Sequence, residues 1–190
     1  MILKLIDCTS KPGMRADFSK AQMAWAPIIR CDGFIAQFGG WDSANGHAII
    51  LALWQSEQAV ADFMASVHDG IFAGSGQEHT YHQCKVQYFT LEQDLEALQP
   101  AWLSNASSVR IEQYPCHMKQ TDPLIGPALL GVVWGRSNQE SGHRLRLSFW
   151  HDGVQSNKQR GEMQEYSALP TCLHLPLLPE WRLLSQIESG

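Results

Sequence analysis

Apolar positions in the first half of the chain form strand-like runs and helical stripes. Runs with the apolar weight of strands lie at residues 2–9, 33–41, 47–54 and 84–91, and the turn residues of DSANG predict a hairpin between the second and the third. Between the first two strands, apolar residues recur at helical spacing and predict a helix over residues 14–30. Strands and helices therefore share the first half of the chain.

A second helix is predicted between the third and fourth strands. Ser56 is a favourable N-cap, and it precedes a stripe of apolar residues at helical spacing, namely Val60, Phe63, Met64, Val67 and Ile71. The resulting order is β-α-β-β-α-β, which is that of a ferredoxin-like fold. The first half is thus expected to form an α+β unit of this type.

The second half repeats the strands of the first half. GHAIILALW at residues 46–54 matches GHRLRLSFW at residues 142–150, VRIEQY and ALLGVVWG match the first two strands, and EWRLLSQI is expected to be the fourth. Its helices differ, because HMKQTDPLIG is too short for a full helix and DGVQSNKQRGEMQEYSAL lacks a continuous apolar stripe. We predict two tandem ferredoxin-like halves, residues 1–97 and 108–190, joined by a linker at 98–107, with reduced helices in the second half.

The third strand of each half presents a matched apolar face. In the first half that face consists of His47, Ile49, Leu51 and Leu53, and in the second half of His143, Leu145, Leu147 and Phe149. On the opposite face Ala48, Ile50, Ala52 and Trp54 become Arg144, Arg146, Ser148 and Trp150. Because side chains alternate along a strand, the matched face is expected to form a core shared by both halves, and the changed face to lie on the helical side.

The composition is that of a globular protein and disfavours some partners. Hydrophobic residues make up 44% of the 190 residues, charged residues 17%, and the formal net charge is −5. No clustered basic surface for nucleic acid is visible, and no window approaches the apolar length of a membrane helix. The amino terminus does not resemble a signal peptide, and the five cysteines form no CxxC pair. We therefore expect a cytoplasmic protein with reduced, mostly buried thiols.

The run LALWQSEQAVADFMASVH resembles the signature of the antibiotic biosynthesis monooxygenase family, at Trp54, Ser56, Ala59, Ser66 and His68. WAPIIRCDGFIAQFGGW followed by SVHDGI is similar to the uncharacterised bacterial YdbC-like proteins of that superfamily. The resemblance implies a dimeric α/β barrel, in which two four-stranded sheets pack face to face with helices outside. In this chain the tandem halves are expected to supply both sheets of an intrachain barrel, as a monomer or a homodimer.

The first half carries the candidate ligand pocket. Ala48 and Ala52 are small, and they are predicted to lie beneath a helical layer that bears Trp25, Phe63 and Met64. Together with Trp54 and Asp69 these residues are expected to border an apolar pocket for a flat organic molecule. The alternative is a fully packed core in which the large aromatic side chains compensate for the small alanines.

His68 is the candidate catalytic residue. It lies at the margin of the apolar stripe of the second helix and is followed by Asp69. An imidazole beside a pocket acts as a base near neutral pH, whereas the structural alternative is a histidine that bonds a backbone carbonyl at the helix end.

Two further groups of residues suggest weaker hypotheses. His79, His82 and Cys84 are potential metal ligands, but His79 does not share a strand face with the other two, so no metal site is predicted. Arg136, Arg144 and Arg146 suit either an anionic ligand or a solvated sheet face.

The resemblance implies a cofactor-independent oxygenase or isomerase acting on a small aromatic or polyketide-like compound. The rival hypotheses are a binding or sensor protein that uses the same pocket without turnover, and a purely structural module. Fold-level analogy does not decide among these classes.

Overall fold

A computed structural model describes residues 1–94, 100–116, 127–151 and 171–185. Its dominant feature is one antiparallel sheet of nine strands. The strands are β1 Ile2–Ser10, β2 Phe34–Trp41, β3 Ala48–Trp54, β4 Tyr81–Leu91, β5 Ser108–Pro115, β6 Leu129–Ser137, β7 His143–Trp150, β8 Thr171–Pro176 and β9 Leu183–Leu184. The predicted α+β class is confirmed, and its strands form one large antiparallel sheet.

The helices among the described residues are short, and most of them lie in the first half. They are α1 Arg15–Met23, α2 Glu57–Ser66, α3 His68–Ser75 and α4 Pro100–Asn105. Single 3₁₀ turns occupy Ala26–Arg30, Gln77–Thr80 and Pro179–Trp181. None of the helices within the described ranges is long and apolar enough to cross a membrane.

Both predicted helices are shorter than the periodicity suggests. The helix expected over residues 14–30 ends at Met23, because Pro27 has no backbone N–H and cannot continue the α-helical ladder. The second helix begins as predicted, with the Ser56 hydroxyl accepting a hydrogen bond of 3.1 Å from the Ala59 N–H. It breaks at Val67, so that His68 starts a separate helix.

The strand order is equivalent in the two halves. The first half has the order β4-β1-β3-β2, and the second half has β8-β5-β7-β6. The prediction that EWRLLSQI is the last strand of the second half is wrong. The expected position beside β5 is occupied by β8, because the alternating sequence TCLHLP suits a strand there. Of EWRLLSQI only Leu183 and Leu184 form a strand, β9, which pairs with β2. The segments of the second half in which reduced helices were predicted, 117–126 and 152–170, lie outside the described residues.

The two halves meet at two places in the sheet. Strands β4 and β6 pair at Leu91 and Gly135. At the other side, the Leu178 N–H donates a hydrogen bond of 2.8 Å to the Gly39 carbonyl oxygen. Gly40 is required here, because a Cβ atom at this position would clash with the carbonyl oxygen of Pro176. The segment after β8 thus returns to β2 with backbone against backbone.

The repeated sequence occupies equivalent positions in the two halves. Ile2 pairs with Trp54 as Ser108 pairs with Trp150. Two residues further along the first strand of each half, Lys4 pairs with Ala52 and Arg110 pairs with Ser148. A cation on the first strand therefore faces a small residue on the third strand in both halves.

One face of the sheet carries a core built by both halves. Its members are Leu3, Leu5, Ile35, Ala36, Phe38, Ile49, Leu51, Leu53, Phe89, Leu91, Leu103, Ala106, Val109, Ile111, Val133, Leu145, Leu147, Phe149, Leu175 and Leu177. The rings of Phe38 and Phe149 lie 5.5 Å apart, which joins the halves directly. The face predicted to be shared is buried here except for its two leading histidines. His47 contacts Asp7, with Nδ1 2.7 Å from Oδ1, and His143 lies near Glu140, with Nδ1 3.5 Å from Oε2.

The opposite face differs between the halves. In the first half it is mostly apolar and carries two clusters, one around Trp54 and one around Ala48. In the second half it carries ion pairs that join four arginines to two glutamates: Arg110 and Arg146 to Glu112, Arg136 and Arg144 to Glu92. The three arginines considered for an anionic ligand therefore already have carboxylate partners.

The cysteines depart from the sequence-based expectation. Cys8 and Cys84 face each other across β1 and β4 and form a disulfide, with an S–S distance of 2.16 Å. Cys31 is half-buried, while Cys116 and Cys172 are exposed. The prediction of reduced, mostly buried thiols is therefore wrong. The sequence separation of Cys8 and Cys84 does not show that the register of β1 and β4 places them opposite each other.

Candidate functional site

The floor of the candidate site is a row of side chains across three strands. Lys4, Ala52 and Gln37 are successive neighbours on β1, β3 and β2, and Tyr88 on β4 continues the row beyond the site. Adjacent strands lie about 4.8 Å apart, so two long polar side chains flank the single methyl group of Ala52. The small residue leaves space between the sheet and the helices above it.

That space is a cavity of about 210 Å³. It is lined by Lys4, Ile6, Cys8, Gln22, Trp25, Ile28, Gln37, Ile50, Ala52, Trp54, Phe63, His68, Phe72, Gln77, Tyr81, Cys84 and Val86. An apolar cavity of about 150 Å³ is enough to hold benzene. The volume here suits a substituted single aromatic ring.

Most of the residues predicted for the pocket are brought together. Five of them line the cavity: Trp25, Ala52, Trp54, Phe63 and His68. Three do not. Ala48 is covered by Phe18, Trp41 and Trp181 in a separate cluster, Met64 contacts Lys4 from the helix side, and Asp69 is exposed.

An aromatic wall encloses the cavity on the helix side. Phe63 lies 4.9 Å from the ring of Trp54 and 6.4 Å from that of Trp25. The Trp25 indole N–H donates a hydrogen bond of 2.8 Å to Gln77 Oε1, and Gln77 Nε2 donates one of 2.8 Å to Gln22 Oε1. These buried bonds fix the Trp25 ring against the cavity.

Lys4 is the most unusual group of the site. Only 7% of the residue is exposed, and its Nζ lies 3.6 Å from Met64 Sδ and 6.0 Å from the centre of the Tyr88 ring. No carboxylate forms an ion pair with it within the described residues. Burial without a counter-charge lowers the pKa of Lys4 from 10.5 to about 8.

Two buried donors of the lining also lack partners. Gln37 Nε2 and Trp54 Nε1 make no hydrogen bond within the described part of the chain, and the residues are 3% and 1% exposed. A buried donor without an acceptor costs about 1–3 kcal/mol. Each of these nitrogens is therefore a donor whose hydrogen bond is not made by the described residues.

His68 lies at the edge of the same cavity. Its ring stacks on Phe72 with centroids 5.7 Å apart and lies 5.4 Å from Trp25. Nδ1 is 2.9 Å from Asp69 Oδ1. A carboxylate only accepts hydrogen bonds, so this contact places the proton of the neutral imidazole on Nδ1. Nε2 then carries a lone pair and can act as a base. The side chain is 19% exposed, whereas that of Asp69 is 94% exposed.

Sequence reasoning missed the polar half of this site. Lys4 and Gln37 each stand among apolar residues in central strands, and Gln22 and Gln77 come from separate elements. The available signal was the alternation of β1, which places Lys4 on the same face as Ile2 and Ile6. A lone cation on an apolar strand face marks either a snorkelling side chain or a functional group.

The three residues considered as metal ligands do not come together. Cys84 is bonded to Cys8, and His79 lies on the preceding 3₁₀ turn with Nε2 3.4 Å from Glu78 Oε1. Across the described ranges, no group of three or more His, Cys, Asp or Glu side chains is arranged to hold a metal ion.

The first half matches a known family. The model of a domain of unknown function (DUF4937) matches residues 2–89. The uncharacterized protein YdbC of Bacillus subtilis (strain 168) is 30% identical over 81 residues, which amount to 41% of this chain and 68% of YdbC.

Solved structures are similar over nearly the whole chain. A candidate monooxygenase of Lactobacillus acidophilus NCFM has a TM-score of 0.62 at 12% identity, covering 96% of this chain and 98% of its own. An anthrone oxidase-like protein has a TM-score of 0.63 at 9% identity, covering 93% and 91%. A candidate monooxygenase of Fusobacterium nucleatum subsp. nucleatum has a TM-score of 0.64 at 10% identity, covering 93% and 92%.

At such identities the likeness to solved structures shows the fold alone. It is a monooxygenase-like α+β fold with a large antiparallel sheet. The match to YdbC covers two thirds of that protein and shows the family. The chain belongs to the family of the uncharacterized protein YdbC, and its residues 2–89 match the domain of unknown function DUF4937.

Proposed function

We propose that the first half binds a small aromatic molecule in the cavity above Ala52 and removes a proton from it, as a cofactor-independent oxygenase or isomerase. The ligand carries a hydroxyl or carbonyl oxygen that is placed on the floor, near Lys4 and Gln37. Its ring lies against the aromatic wall of Trp25, Trp54 and Phe63.

The observation that carries this proposal is the solitary buried Lys4. An unpaired lysine in an apolar environment destabilises the fold, and such costs recur at functional sites because selection for activity maintains them. A purely structural module has no use for this cation or for the unpartnered donors of Gln37 and Trp54. All three suit an oxygen atom that gains negative charge.

His68 is the base of the proposed reaction. Its Nε2 accepts a proton from the ligand, while Nδ1–H remains bonded to Asp69 and favours the imidazolium that forms. The electron pair left on the ligand moves to its oxygen, which the Lys4 ammonium stabilises. Return of a proton at another carbon is isomerisation, and reaction of the anion with dioxygen is oxygenation.

We further propose that the chain closes into an α/β barrel built from two ferredoxin-like halves. The shared core, the contact of Phe38 with Phe149 and the hydrogen bond from Leu178 to Gly39 support this arrangement. In it the second half is the structural partner of the first. Because one chain contributes the strands of both halves, a monomer is sufficient and a homodimer is not required.

The proposal is tested with acetophenone, a single-ring ketone with exchangeable protons beside its carbonyl group. Calorimetry measures its binding, and nuclear magnetic resonance in deuterated water measures exchange of its methyl protons. We expect both in the native protein, binding without exchange in His68→Asn, and neither in Ala52→Leu, where the added side chain fills the cavity.

Lys20→Met is the matched control, since Lys20 is exposed on α1 and should leave both measurements unchanged. Binding without exchange in the native protein would favour the non-catalytic binding or sensor function. Undiminished binding in Ala52→Leu would contradict the assignment of the cavity.

A further inference from the structure

We propose that Lys4 is a carbonyl-reactive residue, which forms an imine with a small aromatic aldehyde or ketone bound in the cavity. This inference rests on the proposed function, because it uses the same cavity and deepens the class of ligand. It adds a covalent step to a site that otherwise holds its ligand by contacts alone.

The surroundings of Lys4 favour the amine that this step needs. Its nearest described polar contact is the weak one to Met64 Sδ at 3.6 Å, and no carboxylate of the described chain holds it as an ammonium ion. With a pKa of about 8, roughly a tenth of Lys4 is free amine at pH 7, against roughly 0.03% for an ordinary lysine. Desolvation is a general way to make a lysine nucleophilic.

The neighbours of Lys4 suit the oxygen of the carbonyl group. Gln37 lies in the same row of the sheet, on the far side of Ala52, and Trp54 is two residues further along β3 on the same face. Both have N–H donors that lack acceptors among the described residues. Donors of this kind stabilise the negative charge that develops on a carbonyl oxygen under attack.

The step balances without an oxidant or a reductant. The lone pair of Nζ forms a bond to the carbonyl carbon, and the π electrons move to the oxygen, which takes a proton from the nitrogen. The carbon–oxygen bond then breaks, and the oxygen leaves as water with a second proton from the nitrogen. The imine that results is neutral, and once it takes a proton from the solvent it withdraws electrons from the adjacent C–H group, whose proton the proposed base removes.

The experiment traps the imine in the full-length protein at pH 7. Benzaldehyde is the probe and sodium cyanoborohydride is the reductant, which converts the imine into a stable secondary amine. Fragmentation of the amino-terminal peptide in a mass spectrometer separates the Nζ of Lys4 from the α-amino group of Met1. We expect Lys4 to be labelled about three hundredfold faster than the exposed Lys20, in line with its larger fraction of free amine.

Two variants distinguish capture in the cavity from general reactivity. Lys4→Arg keeps a cation and cannot form the imine, so its label at position 4 is lost. Ala52→Leu fills the cavity, and we expect it to slow labelling of Lys4 at least tenfold while Lys20 is labelled as before. Benzyl alcohol, which has the ring but no carbonyl group, should compete with benzaldehyde and slow the labelling of Lys4.

The failure of this inference is distinguishable from the failure of the proposed function. Labelling of Lys4 no faster than Lys20, or equally fast in Ala52→Leu, overturns the inference. If acetophenone still binds and exchanges its protons in that case, the proposed function stands with Lys4 as a cation only. If neither acetophenone nor benzaldehyde binds, both fail.

Discussion

Replacement of Lys4 by methionine should make the protein more stable at neutral pH. Methionine has a similar unbranched shape and no charge to desolvate, so it fits the same position beside Ala52. The lowering of the Lys4 pKa from 10.5 to about 8 corresponds to about 3 kcal/mol of unfolding free energy lost at pH 7. Lys4→Met should recover about this amount, which for a chain of this size raises the melting temperature by roughly 10 °C.

The pH dependence gives the sign of the effect. The unfolded chain keeps the lysine protonated up to 10.5, whereas the folded protein releases the proton near pH 8, so the cost is complete below pH 8. Between these values the stability of the native protein rises with pH relative to the variant. The pH-dependent advantage of Lys4→Met therefore falls from about 3 kcal/mol at pH 7 to below about 1 kcal/mol at pH 10.

Urea unfolding at pH 7 and at pH 10 measures this difference. Lys20→Met is the control, since an exposed substitution should change the unfolding free energy by no more than about 0.5 kcal/mol at either pH. A variant that is no more stable than the native protein at pH 7 would refute the assignment of Lys4 as a buried, unpaired cation. An advantage that is the same at both pH values would refute the role of its charge.

Three further predictions concern other parts of the molecule. His68→Asn should abolish proton exchange of acetophenone while changing the unfolding free energy by about 1 kcal/mol or less, and a variant that unfolds or retains exchange contradicts the role of His68. Residues 1–97 expressed alone should form a homodimer by light scattering, because they expose the face that the second half covers; a well-folded monomer at micromolar concentration would oppose this. Burial opposes ionisation of Glu92, but hydrogen bonds and charges of Arg144 and Arg136 lower its pKa overall. Glu92→Gln should therefore lose stability above about pH 4.5 and match the native protein in acid, as tested by thermal melting from pH 3 to pH 7.

The disposition of the strands was largely predictable from the sequence. The period-two alternation in β3 and β7 assigns Leu51 and Leu147 to one face, and both are buried in the shared core. The aromatic side of the pocket was predictable for the same reason, because helical spacing places Phe63 on the inner face of α2. Local periodicity is sufficient wherever a side chain's role depends only on its own element.

The order of the last strands and the polar chemistry of the site were decided by tertiary structure. TCLHLP and EWRLLSQI are both apolar enough to form a strand. The pairing with β5 in the folded chain is what makes TCLHLP the strand β8. Likewise, nothing local distinguishes Ala48 from Ala52. Trp181 arrives from the far end of the chain to cover Ala48, while the space above Ala52 is left between Lys4 and Gln37. These outcomes depend on which distant segments meet, and pairing across strands is a long-range property that the periodicity of one segment does not contain.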